Sequence, residues 1–168
     1  MKAQDLLQAI GPELRSQILT YIQTDERPAY RALIQTLTQA RKLRPQFILE
    51  KSRAQQAEWL LAQLKIKGND PIAEQIFQIW LLKSQGAMLI TFLDAVGIEH
   101  DGKGQVENLP EEISHEKATE GVKALLAAFP AKQVALYLHM FQLQRPTGWA
   151  GLTQAIEECP EVQLTLES

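Results

Sequence analysis

The stretch "IFQIWLLKSQGAMLITFLDAVGI", Ile76 to Ile98, decides the fold. Its first half continues an apolar pattern that begins at Pro71: Ile72, Ile76, Phe77, Ile79, Trp80, Leu81 and Leu82 cover most faces of a helix. A helix that is apolar nearly all round belongs in the middle of a core or in a membrane. Lys83, Ser84, Gln85 and Gly86 interrupt the run, and neither half reaches the ~20 apolar residues that a bilayer requires. The reading is therefore two core helices, one over Pro71–Ser84 and one over Ala87–Val96, the second burying Met88, Leu89, Phe92 and Leu93.

Outward from this stretch the same period continues. Apolar residues recur at helical spacing almost throughout, and sustained strand alternation is absent from the pattern. Proline is best tolerated in the first turn of a helix, so Pro12, Pro28, Pro45, Pro71, Pro110 and Pro130 mark expected starts. The expected N-terminal helices are Gln4–Ile10, Pro12–Thr24, Pro28–Leu43 and Gln46–Ile66, closed by Gly68. Asp70 is the expected cap of the helix that follows. Beyond the central pair come Pro110–Phe129, Pro130–Leu143 and a last helix in "GWAGLTQAIEEC", capped by Thr147. The tail "PEVQLTLES" reads as extended. Helix starts fall at irregular spacing, which argues against a solenoid. The expectation is all-α: an irregular antiparallel bundle of about seven or eight helices in a single domain over residues 1–168.

Charge divides the chain. Residues 1–68 carry 11 Lys/Arg and 6 Asp/Glu; residues 69–168 carry 6 and 14, giving opposed net charges of +5 and −8. A basic N-terminal half and an acidic C-terminal half can steer partners, or pair with each other in one fold or a homodimer. The single cysteine, Cys159, allows no intrachain disulfide. With no apolar leader pattern at the N-terminus, the expected location is the cytoplasm, away from membranes.

Chemistry concentrates in "GIEHDGKGQVENLP", Gly97 to Pro110, and the helix start beyond it. Glu112 and His115 share the Glu-x-x-His spacing that places carboxylate and imidazole on one helical face. With His100 and Asp101 they form a four-ligand set on which a metal-dependent enzyme or metal sensor could be built in the 97–116 region. A di-iron centre would need a second Glu-x-x-His, and Leu136 and Gly97 stand where its glutamate would. An EF-hand fails, because Lys103 and Pro110 occupy positions that require oxygen ligands. The glycines lack P-loop spacing and follow no strand. Cys159 sits in no nucleophile motif, and Gly-x-Ser-x-Gly is absent. His139, inside an apolar helix, reads as a hydrogen-bonded core or boundary histidine, and Trp59, Trp80 and Trp149 as core.

The second cluster is basic. Arg41, Lys42, Arg44, Lys51 and Arg53 flank Pro45 with Phe47 between them, a corner able to contact nucleic-acid backbone or another anion. The overall acidity and the missing DNA-binding motif weigh against nucleic acid. The leading expectation is a non-enzymatic helical protein without cofactor that binds another protein through a helix groove or a charged face. The metal reading and nucleic-acid contact through 41–53 stand as alternatives.

Overall fold

The computed structural model describes residues 1–145 and 148–166. It is all-helical: ten α-helices, one 3-10 turn at Pro160–Val162, and no strand among the described residues. Backbone contacts gather into two compact units, Lys2–Trp80 and Leu81 to the end of the chain. Among the described residues no single helix is long and apolar enough to cross a membrane.

The N-terminal unit holds α1 (Ala3–Ala9), α2 (Gly11–Asp25), α3 (Arg27–Ala40), α4 (Pro45–Leu49) and α5 (Arg53–Leu64). Each of these helices packs on the next in sequence. Ile18, Ile22, Leu33, Ile34, Leu37, Ile48, Leu60 and Leu64 are buried, as the helical spacing requires. The expected Gln46–Ile66 helix is divided in two. Ser52 ends the short α4 segment and caps α5: its Oγ accepts the Gln55 N–H at 3.2 Å, and the Gln55 side chain accepts the Ser52 N–H at 3.3 Å. This reciprocal capping box is a strong start signal, and it overrides apolar continuity. A buried polar layer lies beneath. Tyr30 Oη donates to Gln56 Oε1 at 2.7 Å, while Gln56 Nε2 donates to the Leu49 and Lys51 carbonyls at 3.1 and 2.8 Å.

Helix α6 (Asp70–Lys83) begins at the residue expected to cap it, one residue earlier than expected: the Asn69 carbonyl accepts the Ile72 and Ala73 N–H groups. The Asp70 carboxylate instead accepts the Gln4 backbone N–H at 2.9 Å. The charged and glycine-bearing break after Leu82 does separate two helices, since α7 starts at Gly86.

The C-terminal unit contains α7 (Gly86–Ala95), α8 (His115–Ala128), α9 (Ala131–Leu143) and α10 (Ala150–Glu157). Helix α8 is its centre and packs on the other three. Gly121 makes the α7 contact close: a Cβ there would stand 2.9 Å from side-chain atoms of Phe92 and Val96. Phe92, Tyr137, Phe141 and Trp149 form an aromatic cluster with neighbouring centroids 4.9–6.2 Å apart. The expected start at Pro110 is corrected to His115. Ser114 accepts the Lys117 N–H at 3.2 Å and so supplies the cap, whereas Pro110 lies in irregular chain. Thr147, the expected cap of the last helix, lies outside the described residues; α10 starts at Ala150, with Trp149 before it. The tail is not simply extended: Pro160–Val162 turns, and Val162 and Leu164 are buried.

Candidate functional site

Between α7 and α8, residues 96–114 run without regular structure and wall an open cleft of about 810 Å³. Val96, Ile98 and Ile113 are its buried apolar floor. Glu99, Asp101, Glu107 and Glu112 line it, with Lys117 the one lysine or arginine among the lining residues. The linker is therefore a wall of a concave surface, and local hydrogen bonds give it its shape.

Asp101 folds the chain on itself. Its Oδ1 accepts the Lys103 and Gln105 N–H groups at 2.8 and 3.0 Å, and its own N–H reaches the Gln105 carbonyl at 3.1 Å. Those N–H groups, Lys103 first, hold its carboxyl below the usual aspartate range. Glu112 acts across a longer span. Its Oε2 accepts the Ala150 N–H at 2.8 Å, and its Oε1 accepts those of Ile113 and Gly151 at 3.0 and 3.3 Å. It thereby caps α10 from a remote segment, supplying oxygen to N–H groups that the first turn of a helix leaves free. The Ala150 contact, before the others, lowers its pKa.

The same segment is clamped further. The Pro110 carbonyl accepts from Trp149 Nε1 at 3.1 Å and from Arg145 at 3.3 Å, and the Arg145 guanidinium lies 4.5 Å over the Trp149 ring. Gly151 permits the approach. A Cβ there would meet the Ile113 carbonyl oxygen and stand 2.9 Å from the His115 nitrogen.

The four expected metal ligands are held by separate partners. His100 Nδ1 accepts the Gly102 N–H at 3.1 Å, so the ring proton belongs on Nε2, which donates to Asp94 at 2.7 Å. His115 Nε2 donates to Glu158 at 2.7 Å. Asp101 and Glu112 are bound to backbone N–H groups as above. No three His, Cys, Asp or Glu side chains among the described residues converge as a metal-holding group. Glu112 and His115 do not share a helical face, because Glu112 precedes the helix. His139 is a boundary histidine: its Nε2 pairs with the Val162 carbonyl at 3.3 Å, and burial pushes its pKa down. The Cys159 thiol donates to Glu161 at 2.9 Å; burial, then that contact, pushes its pKa up. Trp80 and Trp149 are buried, whereas Trp59 is half-buried.

The basic stretch lies in the other unit. Arg41 Nε donates to Gln63 at 2.9 Å, Lys42 adopts φ +56°, and Arg44 stands before α4. Phe47 is 59% exposed, with the Lys51 ammonium 4.9 Å from its ring centroid. Arg53 opens α5. Arg41, Lys42, Arg44 and Arg53 are exposed and Lys51 is half-buried; Arg41 is tied to a buried glutamine.

Sequence reading missed Asp94, Glu158, Arg145, Trp149 and Gly151 as builders of the cleft. Each meets its partner across a turn or from another helix, so no fixed spacing announces it. Compared with protein-family models, curated proteins and solved structures, the chain matches none.

Proposed function

We propose that the protein is a non-enzymatic binding module whose 96–117 cleft receives a basic segment of a partner protein. The observation that carries this is the lining: four carboxylates against one lysine, around an apolar floor. Backbone N–H groups hold the carboxyls of Asp101 and Glu112 below their ordinary range, which favours their anionic form. A wall with four carboxylates and one lysine favours a Lys- or Arg-bearing segment and rejects an acidic one, while the floor takes an aliphatic side chain between the charges. Nothing in this reading requires a cofactor.

The test uses labelled Lys/Arg peptides with aliphatic spacers, beside acidic peptides of the same length. Basic peptides should bind in a salt-dependent manner and acidic ones should not. Glu99→Lys/Glu107→Lys should weaken binding by about tenfold or more, equivalent to about 1.4 kcal/mol. Equal binding of both peptide sets, or no response to charge reversal, would overturn the reading. Self-association through the chain's own 41–53 corner is the competing outcome, visible as a concentration-dependent mass that Arg44→Glu abolishes.

A further inference from the structure

A second cleft, of about 270 Å³, lies in the N-terminal unit where α2, α3, α4 and α5 meet. Arg27, Arg31 and Arg53 line it, together with Gln23, Tyr30 and Gln56; Leu49 is its one aliphatic lining residue. No carboxylate lines it. Its floor is fixed. Tyr30 and Gln56 are buried, at 5% and 7% exposure; they are bonded to each other, and Gln56 donates to the Leu49 and Lys51 carbonyls. The floor's polar groups are thus spent on one another. The arginines are not: among the described residues, none of the three guanidinium groups donates a hydrogen bond, and both ion pairs found there use histidine.

Local electrostatics disfavours all three positions. Arg27 is the first residue of α3 and Arg53 the first of α5, each at the positive end of its helix dipole. Arg31 lies one turn beyond Arg27, an i,i+4 pair of like charges. Helix α3 also begins without a side-chain cap, since Glu26 makes no such hydrogen bond. A helix start ordinarily recruits acids; here two adjacent helix starts and a third position gather cations. Positions where local rules are broken without a partner inside the fold are where a ligand supplies the compensation.

We propose that this cleft binds a small phosphorylated molecule, a phosphate monoester or diphosphate group held by Arg27, Arg31 and Arg53. The planar guanidinium fork matches phosphate oxygens in pairs, and a phosphoryl dianion offers enough acceptors for three forks where a carboxylate offers two oxygens. The volume lies just below the usual range for drug-sized ligands, roughly 300–1,000 Å³. It admits a phosphoryl group with a short substituent. Of the basic stretch only Arg53 lines the cleft; Arg41, Lys42, Arg44 and Lys51 are outside the lining and can be mutated separately.

The experiment is calorimetric titration of the full chain at low ionic strength with inorganic pyrophosphate, glycerol phosphate and a single-stranded oligonucleotide. The expected result is saturable one-to-one binding of pyrophosphate or glycerol phosphate with Kd below about 1 mM. Arg31→Gln and Arg53→Gln should each weaken it about tenfold or more, Arg31→Lys should weaken it less, and Arg44→Gln/Lys51→Gln should leave it unchanged. Circular dichroism of each variant checks the fold; of these substitutions, only Lys51→Gln removes a described contact, the ammonium over the Phe47 ring. Non-saturating binding, or binding untouched by Arg31→Gln and Arg53→Gln, would overturn the proposal. So would oligonucleotide binding tighter than either small phosphate and lost with Arg44 and Lys51, since that pattern belongs to an extended nucleic-acid surface.

Discussion

The two units use charge in opposite ways. In the C-terminal unit the carboxylates of Asp101 and Glu112 accept backbone N–H groups and shape the chain around the cleft. In the N-terminal unit Arg27, Arg31 and Arg53 stand at helix starts or one turn from another cation, and their guanidinium groups have no hydrogen-bond or ion-pair partner among the described residues. The difference separates charges that are structural from charges left available. A carboxylate at the start of a helix stabilises it and needs no further explanation. An arginine there lowers stability and points to something outside the chain.

The largest expected effect tests how tightly the acidic wall is built. Gly151→Ala would drive a methyl group into the Ile113–Ser114 backbone, which cannot rotate away as a side chain can. The expected cost is about 3 kcal/mol, toward the upper end of overpacking effects, read by urea denaturation. Displacing that segment should also weaken binding of basic peptides in the cleft. Gly121→Ala is the control. Its new methyl meets only the Phe92 and Val96 side chains, and Ala gains helix propensity over Gly, so about 1 kcal/mol or less is expected. Equal costs at the two glycines would mean that the wall gives way as readily as the α7–α8 contact.

A smaller effect concerns acid. The folded pKa of Glu112 is depressed, chiefly by the Ala150 N–H, below its ordinary 4.5. Such a group contributes stability that is complete above its unfolded value and lost as pH falls through the folded one. Melting temperature followed from about pH 6 to pH 2 should therefore fall in acid, and Glu112→Gln should flatten part of that slope. The variant should also fray α10, seen as faster amide exchange at Ala150 and Gly151. An unchanged acid slope would assign the wall's stability to Trp149, Arg145 and the Pro110 carbonyl alone.

The helical class was legible in the sequence because it rests on local period, and the break at Lys83–Gly86 was legible because charge and glycine interrupt an apolar run. The helix start at Ser114 was not, since Pro110 offered a competing signal four residues earlier. The Ser52 capping box was present in the sequence but masked by apolar residues on both sides. For the polar stretch, its surface position and its acids were legible, while its role as a cleft wall was not. That role depends on Glu112 reaching Ala150, thirty-eight residues away, and on Gly151 allowing the approach. For the set His100, Asp101, Glu112 and His115, one-dimensional spacing could not show that His100 pairs with Asp94 and His115 with Glu158. Arg27 and Arg31 carried a readable signal of their own, like charges one turn apart directly at a helix start; the denser run at 41–53 drew attention from it.

The smallest expected effect has the clearest sign. Neutralising a structural charge lowers stability, as at Glu112. Neutralising an available one raises it, provided that no ligand is present. Arg31→Gln removes one like-charge pair at i,i+4 and breaks no hydrogen bond in the described structure. It should therefore stabilise the free protein by about 0.2–0.5 kcal/mol at low salt. The gain should shrink as salt screens the pair. Saturating pyrophosphate should reverse the sign, because the ligand stabilises only the chain that binds it and the variant loses that contribution. Loss of stability in the variant without ligand would place Arg31 among the structural charges and erase the contrast between the two units.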